Sequence, residues 1–302
     1  MNVIFMGTPD YASEILKALI ADEEINIVAV YTQPDKPVGR KKVMTAPITK
    51  TVALENGLKV YQPSRLRDEA TVAELCGIEC DFIVVAAYGQ ILPKAVLDHA
   101  PCINLHASIL PDYRGASPIQ QAILNGDSET GVTAMLMDVG LDTGDILKIE
   151  KIAIGDDEMV GSLFERLTET AAALTVDVLK NFERLTPVPQ DDTKATHCTK
   201  ITKEQGLVFF EDAALLYNRY RAFTPWPGIY LESGLKLKKM ELVESEKPHK
   251  AGEILAIENE SIIVGCQRGA LRIAIVQPAS KKEMGVIAYL NGKRLGLADT
   301  LS

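Results

Sequence analysis

Two polar side chains stand two residues apart in a short apolar segment, Cys102-Ile103-Asn104-Leu105-His106. The segment has the composition of a β-strand, and side chains alternate between the two faces of a strand, so Asn104 and His106 share one face. An amide and an imidazole side by side can place two hydrogen-bond donors on one developing oxyanion, which is the electrostatic task in acyl transfer. Taken alone, such a pair is more often a buried polar cluster that satisfies its own hydrogen bonds.

A glycine-bounded loop with two carboxylates follows further along the chain, Gly140-Leu141-Asp142-Thr143-Gly144-Asp145. Either carboxylate can orient an imidazole and fix its protonation. A solvated turn is the alternative interpretation, because glycine and aspartate are both common in turns.

Other catalytic signatures are missing from the sequence. Gly7-Thr8-Pro9 lacks the second and third glycines of a dinucleotide-binding loop, which favours a structural turn. Phosphate-loop and hydrolase-elbow motifs do not occur. Cys76 and Cys80 have no second ligand pair, and the four histidines are far apart in sequence, so a structural zinc site is not expected.

Strands and helices are predicted to alternate around these residues. An apolar run at 2–6 precedes a helix for which Thr8 can be the cap and Pro9 the first residue, and a β-branched strand follows at 27–31. Residues 81–87 are nearly continuously apolar, as in a parallel strand covered on both faces. This alternation predicts an α/β fold with a doubly wound, Rossmann-like, mostly parallel sheet.

The C-terminal part of the chain has a different period. An amphipathic helix is predicted at 161–182, and the two prolines and two acids of 186–192 cannot continue it. Short β-prone runs, separated by Gly, Asn and Glu, then follow at 236–243, 252–257, 261–265 and 270–276. They predict a small antiparallel β-barrel of the OB-like kind. We therefore predict a first domain at 1–186, a linker at 187–205 and a C-terminal domain at 206–302.

Composition and charge limit the class of protein. With 47% hydrophobic and 24% charged residues the chain is globular, and its net charge of −9 argues against a protein that coats nucleic acid by charge alone. The charge is uneven, because residues 1–190 hold 16 basic and 27 acidic residues whereas residues 191–302 hold 16 and 14. With no apolar stretch of membrane-spanning length, no secretory signal and an odd number of cysteines, we expect a soluble cytoplasmic protein with reduced thiols.

One basic patch interrupts the acidic first half. The segment 34–47 contains Lys36, Arg40, Lys41 and Lys42 and has no acid after Asp35. A charge run of this kind is usually a solvated face. Its proline and glycine bounds favour a mobile loop.

These segments together resemble the folate-dependent formyltransferases. The resemblance is carried by Asn104-x-His106, Ser108-Ile109-Leu110-Pro111, Tyr113-Arg114-Gly115-Ala116 and Asp142. Within that family the chain is similar, over nearly its whole length, to the branch that acts on charged initiator tRNA. Three further segments support this narrower match: 33–42, which lacks the family's usual glycine between Arg40 and Lys41, 142–147, and Arg221-Ala222-Phe223-Thr224-Pro225-Trp226-Pro227-Gly228.

The resemblance implies a reaction and a site. The formyl group of 10-formyltetrahydrofolate would pass to the α-amino group of methionine on initiator tRNA, with Asn104 and His106 as oxyanion donors, Asp142 as proton acceptor and no metal. Folate would be bound by Ala87, Tyr88, Gly89, Gln90, Ile91, Leu92, Ser108, Leu110, Pro111, Leu141 and Thr143. The tRNA would be bound by Lys36, Arg40, Lys41 and Lys42, with the C-terminal domain also binding it. Ile91 and Leu92 are equally compatible with a plain core. We expect a monomer with no membrane partner.

Three functions remain open from the sequence. The first is formylation of charged initiator tRNA, the second is formylation of an amino sugar nucleotide on the same catalytic core, and the third is a non-catalytic RNA-binding protein. Asn104, His106 and Asp142 together argue against the third. The basic segment and the Asp-Thr-Gly sequence at 142–144 argue against the second.

Overall fold

Strands and helices alternate through the first part of the chain, as predicted. The structure, a computed structural model, describes residues 1–39, 41–243, 245 and 247–302. The elements in chain order are β1 (Asn2–Gly7), α1 (Asp10–Ala21), β2 (Asn26–Tyr31), β3 (Lys36–Val38), β4 (Val43–Thr45), α2 (Ile48–Glu55), β5 (Val60–Tyr61), α3 (Glu69–Cys76), β6 (Phe82–Ala86), α4 (Lys94–Leu97), β7 (Cys102–His106), β8 (Arg114–Gly115), α5 (Pro118–Asn125), β9 (Glu129–Leu136), β10 (Ile146–Ala153) and α6 (Val160–Asn181).

Further strands and two α-helices follow in the described part of the chain. They are β11 (His197–Cys198), α7 (Ala213–Phe223), β12 (Ile229–Tyr230), β13 (Lys236–Val243), β14 (Ile254–Ile257), β15 (Ile262–Gly265), β16 (Ala270–Gln277), β17 (Met284–Gly285) and α8 (Val286–Lys293).

The chain divides into two compact units. The first contains Met1–Pro118, Glu129–Ala153 and Phe164–Cys198, and the second contains Ile119–Ser128, Ile154–Leu163 and Thr199–Ser302. The domain boundaries predicted from the sequence, 1–186, 187–205 and 206–302, remain a prediction. Most of the segment from 187 onward that the sequence assigns to a linker belongs to the first unit.

A seven-stranded sheet forms the centre of the first unit, in the order β10-β9-β7-β6-β1-β2-β5. The five strands from β7 to β5 are parallel, whereas β9 and β10 are antiparallel. The side chains of Val3, Ile4, Phe5 and Met6 in β1 are fully buried, because this central strand is covered on both faces. The predicted Rossmann-like sheet is confirmed.

The strand order reverses beside β1. The chain runs from β1 to β2 and β5 on one side, and then returns to β6 on the other side. In open α/β sheets, ligands bind outside the carboxyl ends of the strands at such a switch point. The loops at 7–9 and 87–89 therefore occupy the position in the fold where a ligand is expected.

Thr8 does not cap the first helix, so that prediction was wrong. Pro9 occupies the cap position of α1 and no side chain caps the helix. The Thr8 hydroxyl instead donates to the carbonyl oxygen of Tyr88 at 3.0 Å. The neighbouring loop after β6 offers this hydroxyl an acceptor, and the hydrogen bond joins the two loops at the switch point.

The second unit contains an antiparallel sheet. Its strands lie in the order β12-β13-β16-β15-β14, and β17 pairs with β16. The β-prone runs predicted at 236–243, 252–257, 261–265 and 270–276 correspond to β13, β14, β15 and β16. The predicted antiparallel character of the C-terminal part is confirmed.

The helices carry no candidate for a membrane span. Within the residues that the structure describes, none of them is both long and apolar enough to cross a bilayer.

Two buried tyrosines offer a test of the first unit's core. The Tyr11 hydroxyl donates to the Leu105 carbonyl oxygen at 3.4 Å, whereas the buried Tyr31 hydroxyl has no hydrogen-bond partner among the described residues. We expect Tyr31→Phe to leave the free energy of unfolding unchanged or raise it by about 1 kcal/mol, because the variant no longer buries an unpaired hydroxyl. Tyr11→Phe should lower the free energy of unfolding by about 1 kcal/mol. Urea unfolding of both variants measures the difference, and an equal decrease in the two would contradict it.

Candidate active site

Strand β7 presents Asn104 and His106 from the middle of the sheet. Asn104 lies beside Val85 of β6 and Met135 of β9, and His106 lies beside Thr133 of β9. Both side chains approach the same carboxylate, that of Asp142. The shared face predicted from their spacing is therefore present.

The Asp142 side chain approaches this pair from the loop at 137–145, between β9 and β10. The loop closes on itself, because the Asp138 carboxylate accepts hydrogen bonds from the Gly140 amide at 2.9 Å and the Thr143 hydroxyl at 2.6 Å. Gly144 passes so close to the backbone of Leu136 that a Cβ at 144 would overlap the Leu136 carbonyl. Only glycine allows this close approach.

The three polar side chains form a small cluster. The Asn104 amide nitrogen lies 3.4 Å from Oδ1 of Asp142, and His106 Nδ1 lies 3.6 Å from Oδ2 of the same carboxylate. His106 is 7% exposed and Asp142 is 9% exposed, whereas Asn104 is half-buried. Both distances exceed those of strong hydrogen bonds, so the Asn104 amide keeps donor capacity for a substrate atom. No group of three or more His, Cys, Asp or Glu within the described part of the chain is arranged to hold a metal ion.

The hydrogen bonds of His106 assign its tautomer. Nε2 lies 2.9 Å from the carbonyl oxygen of Tyr113. A carbonyl oxygen only accepts hydrogen bonds, so Nε2 carries the hydrogen and Nδ1 faces the Asp142 carboxylate. When the ring also carries a proton on Nδ1, both nitrogens donate and the contact with Asp142 becomes an ion pair.

The backbone of residues 113–115 holds both partners in place. The Tyr113 carbonyl oxygen accepts from His106, and the Gly115 amide donates to Asp142 Oδ2 at 2.8 Å. Gly115 has φ 119°, and a Cβ there would overlap the Cys198 carbonyl of the paired strand β11. A side chain is therefore excluded at this position. Tyr113 and Gly115 thus act in the site through their backbone groups.

The loop at 87–92, predicted to bind folate, lies at the switch point. Ala87 and Gly89 have positive φ values, 46° and 83°. Ile91 is 85% exposed, whereas Tyr88 and Leu92 pack into the hydrophobic core. The Gln90 side chain is held by the Leu66 amide and the Pro63 carbonyl. Ile91 is therefore free to contact a ligand, and Leu92 is core.

The other residues predicted to bind folate fall into two groups. Ser108 and Leu110 are buried, and the Ser108 hydroxyl donates to the Asp112 carbonyl at 2.6 Å; Pro111 is half-buried. Leu141, next to Asp142, is 68% exposed, and Thr143 is half-buried. Leu141 thus offers an exposed apolar side chain beside the polar cluster.

The basic segment forms a hairpin where a loop was predicted. Strand β3 pairs antiparallel with β4, and Lys36, Lys41 and Lys42 are exposed on it. Lys42 has φ 49° in the turn. Arg40, the fourth residue predicted to bind tRNA, lies outside the described residues.

Polar side chains anchor the base of this hairpin. The Lys50 ammonium lies 2.9 Å from both oxygens of the Asp35 carboxylate, and the Gln62 amide donates to Asp35 Oδ1 and to the Gln33 carbonyl. Hydrogen bonds from Gln62 and Lys50 hold the pKa of Asp35 below its usual value. The Gln33 amide in turn donates to the Tyr88 carbonyl at 3.2 Å. The hairpin is therefore connected by hydrogen bonds to the loop at 87–92.

Two polar residues of the site were missed by the sequence. The Gln190 amide nitrogen donates to the carbonyl oxygens of Asp142 and Gly144, and its oxygen accepts from the guanidinium of Arg114. Gln190 stands between Pro189 and Asp191, in a segment whose composition predicts a domain boundary. The sequence therefore gives no sign that the Gln190 side chain belongs to the site. Arg114 belongs to a motif that is recognisable in the sequence, but the sequence did not predict that its side chain would be buried, at 4% exposed.

Comparison with known proteins identifies the family. The family described as formyl transferase matches residues 1–179, and the formyl transferase C-terminal domain matches residues 200–294. The chain belongs to the formyl transferase family. It is 63% identical to a methionyl-tRNA formyltransferase of Sulfurimonas denitrificans over 100% of both chains. It is 54% identical to a methionyl-tRNA formyltransferase of Nitratiruptor over 99% of both chains.

A solved structure supports the fold. An N-formyltransferase from Helicobacter canadensis, crystallised with folinic acid and dTDP-3-aminofucose, matches 91% of this formyltransferase chain and 99% of its own, with a TM-score of 0.69 and 18% identity. Identity at this level supports the shared fold and carries no statement about substrate.

Asp142→Asn tests the chemistry of this cluster. An amide keeps the shape of the side chain and one oxygen for the Gly115 amide, but it cannot take a proton. We expect formyl-transfer turnover to fall by about 10²-fold or more, because positioned proton acceptors contribute that much. Tm and binding of a folate should stay close to the parent values. Turnover near the parent value in a folded Asp142→Asn variant would disprove the role.

Proposed function

We propose that this formyltransferase transfers the formyl group of 10-formyltetrahydrofolate to the α-amino group of methionine esterified to initiator tRNA, in support of translation initiation. The observation that carries the proposal is the 63% identity, over the full length of both chains, to a methionyl-tRNA formyltransferase. The cluster of Asn104, His106 and Asp142 supports the same chemistry independently of that similarity.

Asn104 and His106 supply electrostatic stabilisation in this proposal. Attack of an amine on a formyl carbon moves negative charge onto the formyl oxygen. The Asn104 amide and His106 Nδ1, when protonated, can both donate a hydrogen bond to that oxygen. The 3.4 Å contact of Asn104 with Asp142 is weak enough for the amide to exchange it for a substrate contact.

Asp142 accepts the proton that the attacking nitrogen loses, directly or through water. Collapse of the tetrahedral adduct then breaks the bond between the formyl carbon and N10 of the folate, and N10 takes up a proton as tetrahydrofolate leaves. The Asp142 carboxylate is held by the Gly115 amide at 2.8 Å and faces His106. Burial of both side chains strengthens their electrostatic interaction relative to water. A carboxylate held in this way is ready to accept a proton without a large rearrangement.

The residues around the cluster fit a folate. A pterin needs hydrogen bonds at its edge and apolar contacts at its faces, and pockets of this kind are mostly apolar with a few polar groups. The exposed side chains of Ile91 and Leu141 can supply apolar contact, and the backbone of the loop that contains Ala87 and Gly89 can supply hydrogen bonds at the switch point. We propose that residues 87–92, Ser108, Leu110, Pro111, Leu141 and Thr143 hold the folate.

The hairpin of β3 and β4 supplies positive charge for the tRNA. Lys36, Lys41 and Lys42 are exposed, and the described residues of the hairpin include no acid. Lysines contact phosphates without reading bases, so they add affinity that depends on salt. We assign tRNA binding to these lysines, to Arg40 and to residues 206–302. We expect the enzyme to act as a cytoplasmic monomer.

A competition assay separates the two possible acceptors. The enzyme receives 10-formyltetrahydrofolate together with methionyl initiator tRNA and a 4-amino sugar nucleotide. We expect formyl transfer to the tRNA in preference to the sugar nucleotide. Preferential formylation of the sugar nucleotide would overturn the proposed substrate and leave the membership of the family intact.

Neutralising the hairpin tests its interaction with tRNA. The variant replaces Lys36, Lys41 and Lys42 by Gln, and the control replaces Lys94 and Lys151, two exposed lysines elsewhere in the first unit. The hairpin variant should bind charged tRNA more weakly, and the slope of log affinity against log salt should fall by about one for each phosphate that a lysine no longer neutralises. Folate binding should not change. An unchanged affinity and an unchanged salt slope would show that the hairpin is a solvated surface that does not bind tRNA.

A further inference from the structure

The side chain of Gln190 uses both ends of its amide. Its nitrogen donates to the carbonyl oxygen of Asp142 at 2.9 Å and to that of Gly144 at 2.8 Å. Its oxygen accepts from Arg114 Nε at 3.1 Å and from Arg114 Nη2 at 2.8 Å. An amide has two hydrogens to donate and an oxygen that accepts two hydrogen bonds, so all four positions of Gln190 are filled.

Arg114 decides which way this amide points. A guanidinium only donates hydrogen bonds, so the end of the amide that faces it must be the oxygen. Arg114 is buried, and its Nη2 also lies 2.8 Å from the Asp192 carboxylate. Its charge strengthens the bond to the Gln190 oxygen and directs the amide nitrogen at the loop that carries Asp142.

The loop at 137–145 needs this support. Asp142 has φ 55°, in the left-handed region, and such a conformation persists at a residue other than glycine only when its surroundings hold it. Its neighbour Leu141 is exposed, as is Val139. The Gly115 amide fixes the Asp142 carboxylate, but the main chain on the C-terminal side of the left-handed residue is held by Gln190.

We propose that Gln190 is a positioning residue for the reaction, which acts by holding the backbone of Asp142 and Gly144 so that the carboxylate faces Asn104 and His106. The proposal rests on the proposed catalytic role of Asp142. Gln190 contacts Asp142 through its main chain, and the geometry gives it no direct role in proton transfer.

The segment around Gln190 is built to keep it in place. The backbone of Val188 exchanges hydrogen bonds with Ile146 at 2.8 and 2.9 Å, next to the end of the loop. On the other side, the Asp191 carboxylate accepts from both the amide and the hydroxyl of Thr193. Gln190 therefore lies between two residues, Val188 and Asp191, that are themselves hydrogen-bonded. These contacts restrict the backbone from which the Gln190 side chain extends to Asp142.

The experiment compares Gln190→Met and Gln190→Glu with the control Gln121→Met in the intact enzyme. Met keeps the length without polar groups, and Glu keeps the shape but presents an oxygen to the two carbonyls. We expect both Gln190 variants to fall about tenfold to 10²-fold in kcat, because a small misplacement of a reacting group has an effect of this size. KM for each substrate should change by less than about twofold, as expected when a substitution affects the transition state alone. Gln121→Met removes a glutamine that donates to Asn125 within α5, so it should match the parent enzyme.

A double-mutant cycle shows whether Gln190 acts through Asp142. Single-turnover rates are measured for Gln190→Met, Asp142→Asn and the combination. If Gln190 acts by holding Asp142, the combined decrease should equal that of Asp142→Asn alone. Decreases that multiply would overturn the proposal, as would an unchanged kcat in both Gln190 variants or a failure of both to fold.

The same cycle separates this inference from the proposed function. A parent-like rate in Asp142→Asn would remove the catalytic role of Asp142 and with it the positioning role of Gln190, but it would leave the proposed formyl transfer to tRNA intact. A large decrease in Asp142→Asn with none in either Gln190 variant would overturn the positioning role alone.

Discussion

The hydrogen bond from the Gly115 amide to the Asp142 carboxylate is the contact around which the candidate active site is arranged. It brings a buried carboxylate from the loop after β9 to the strand that carries Asn104 and His106. A buried charge is costly unless it is hydrogen-bonded, so the surrounding chain must supply donors. The turn closed by Asp138, the left-handed backbone of Asp142 and the glycines at 115 and 144 all help to position this carboxylate.

The site joins pieces that are far apart in sequence. Strand β7 supplies Asn104 and His106, residues 113–115 supply backbone groups, the loop at 137–145 supplies Asp142, and the segment that ends at β11 supplies Gln190. Each piece is held by hydrogen bonds to at least one other, such as those of Arg114 with Gln190. Hydrogen bonds of this kind hold the reacting groups in place before the reaction, so these groups need not reorganise as charge develops.

The sequence predicted the parts of this site that depend on local pattern. Period two put Asn104 and His106 on one face, and the apolar runs predicted the parallel strands. Thr8 shows the limit of local rules, because a nearby carbonyl from the loop after β6 competes for its hydroxyl. Gln190 shows a second limit: nothing in Val188-Pro189-Gln190-Asp191 distinguishes a linker from a segment laid against the site. Only the tertiary structure places its amide between Arg114 and Asp142.

The hairpin of β3 and β4 stands apart from the sheet but is bound at its base. Its strands are exposed throughout, and its support comes from Asp35, Lys50, Gln62 and Gln33. Insertions or substitutions in β3, in β4 or in the turn between them therefore leave the buried core unchanged. The length of the hairpin can therefore vary without disturbing the central sheet, provided that its four anchor residues are kept.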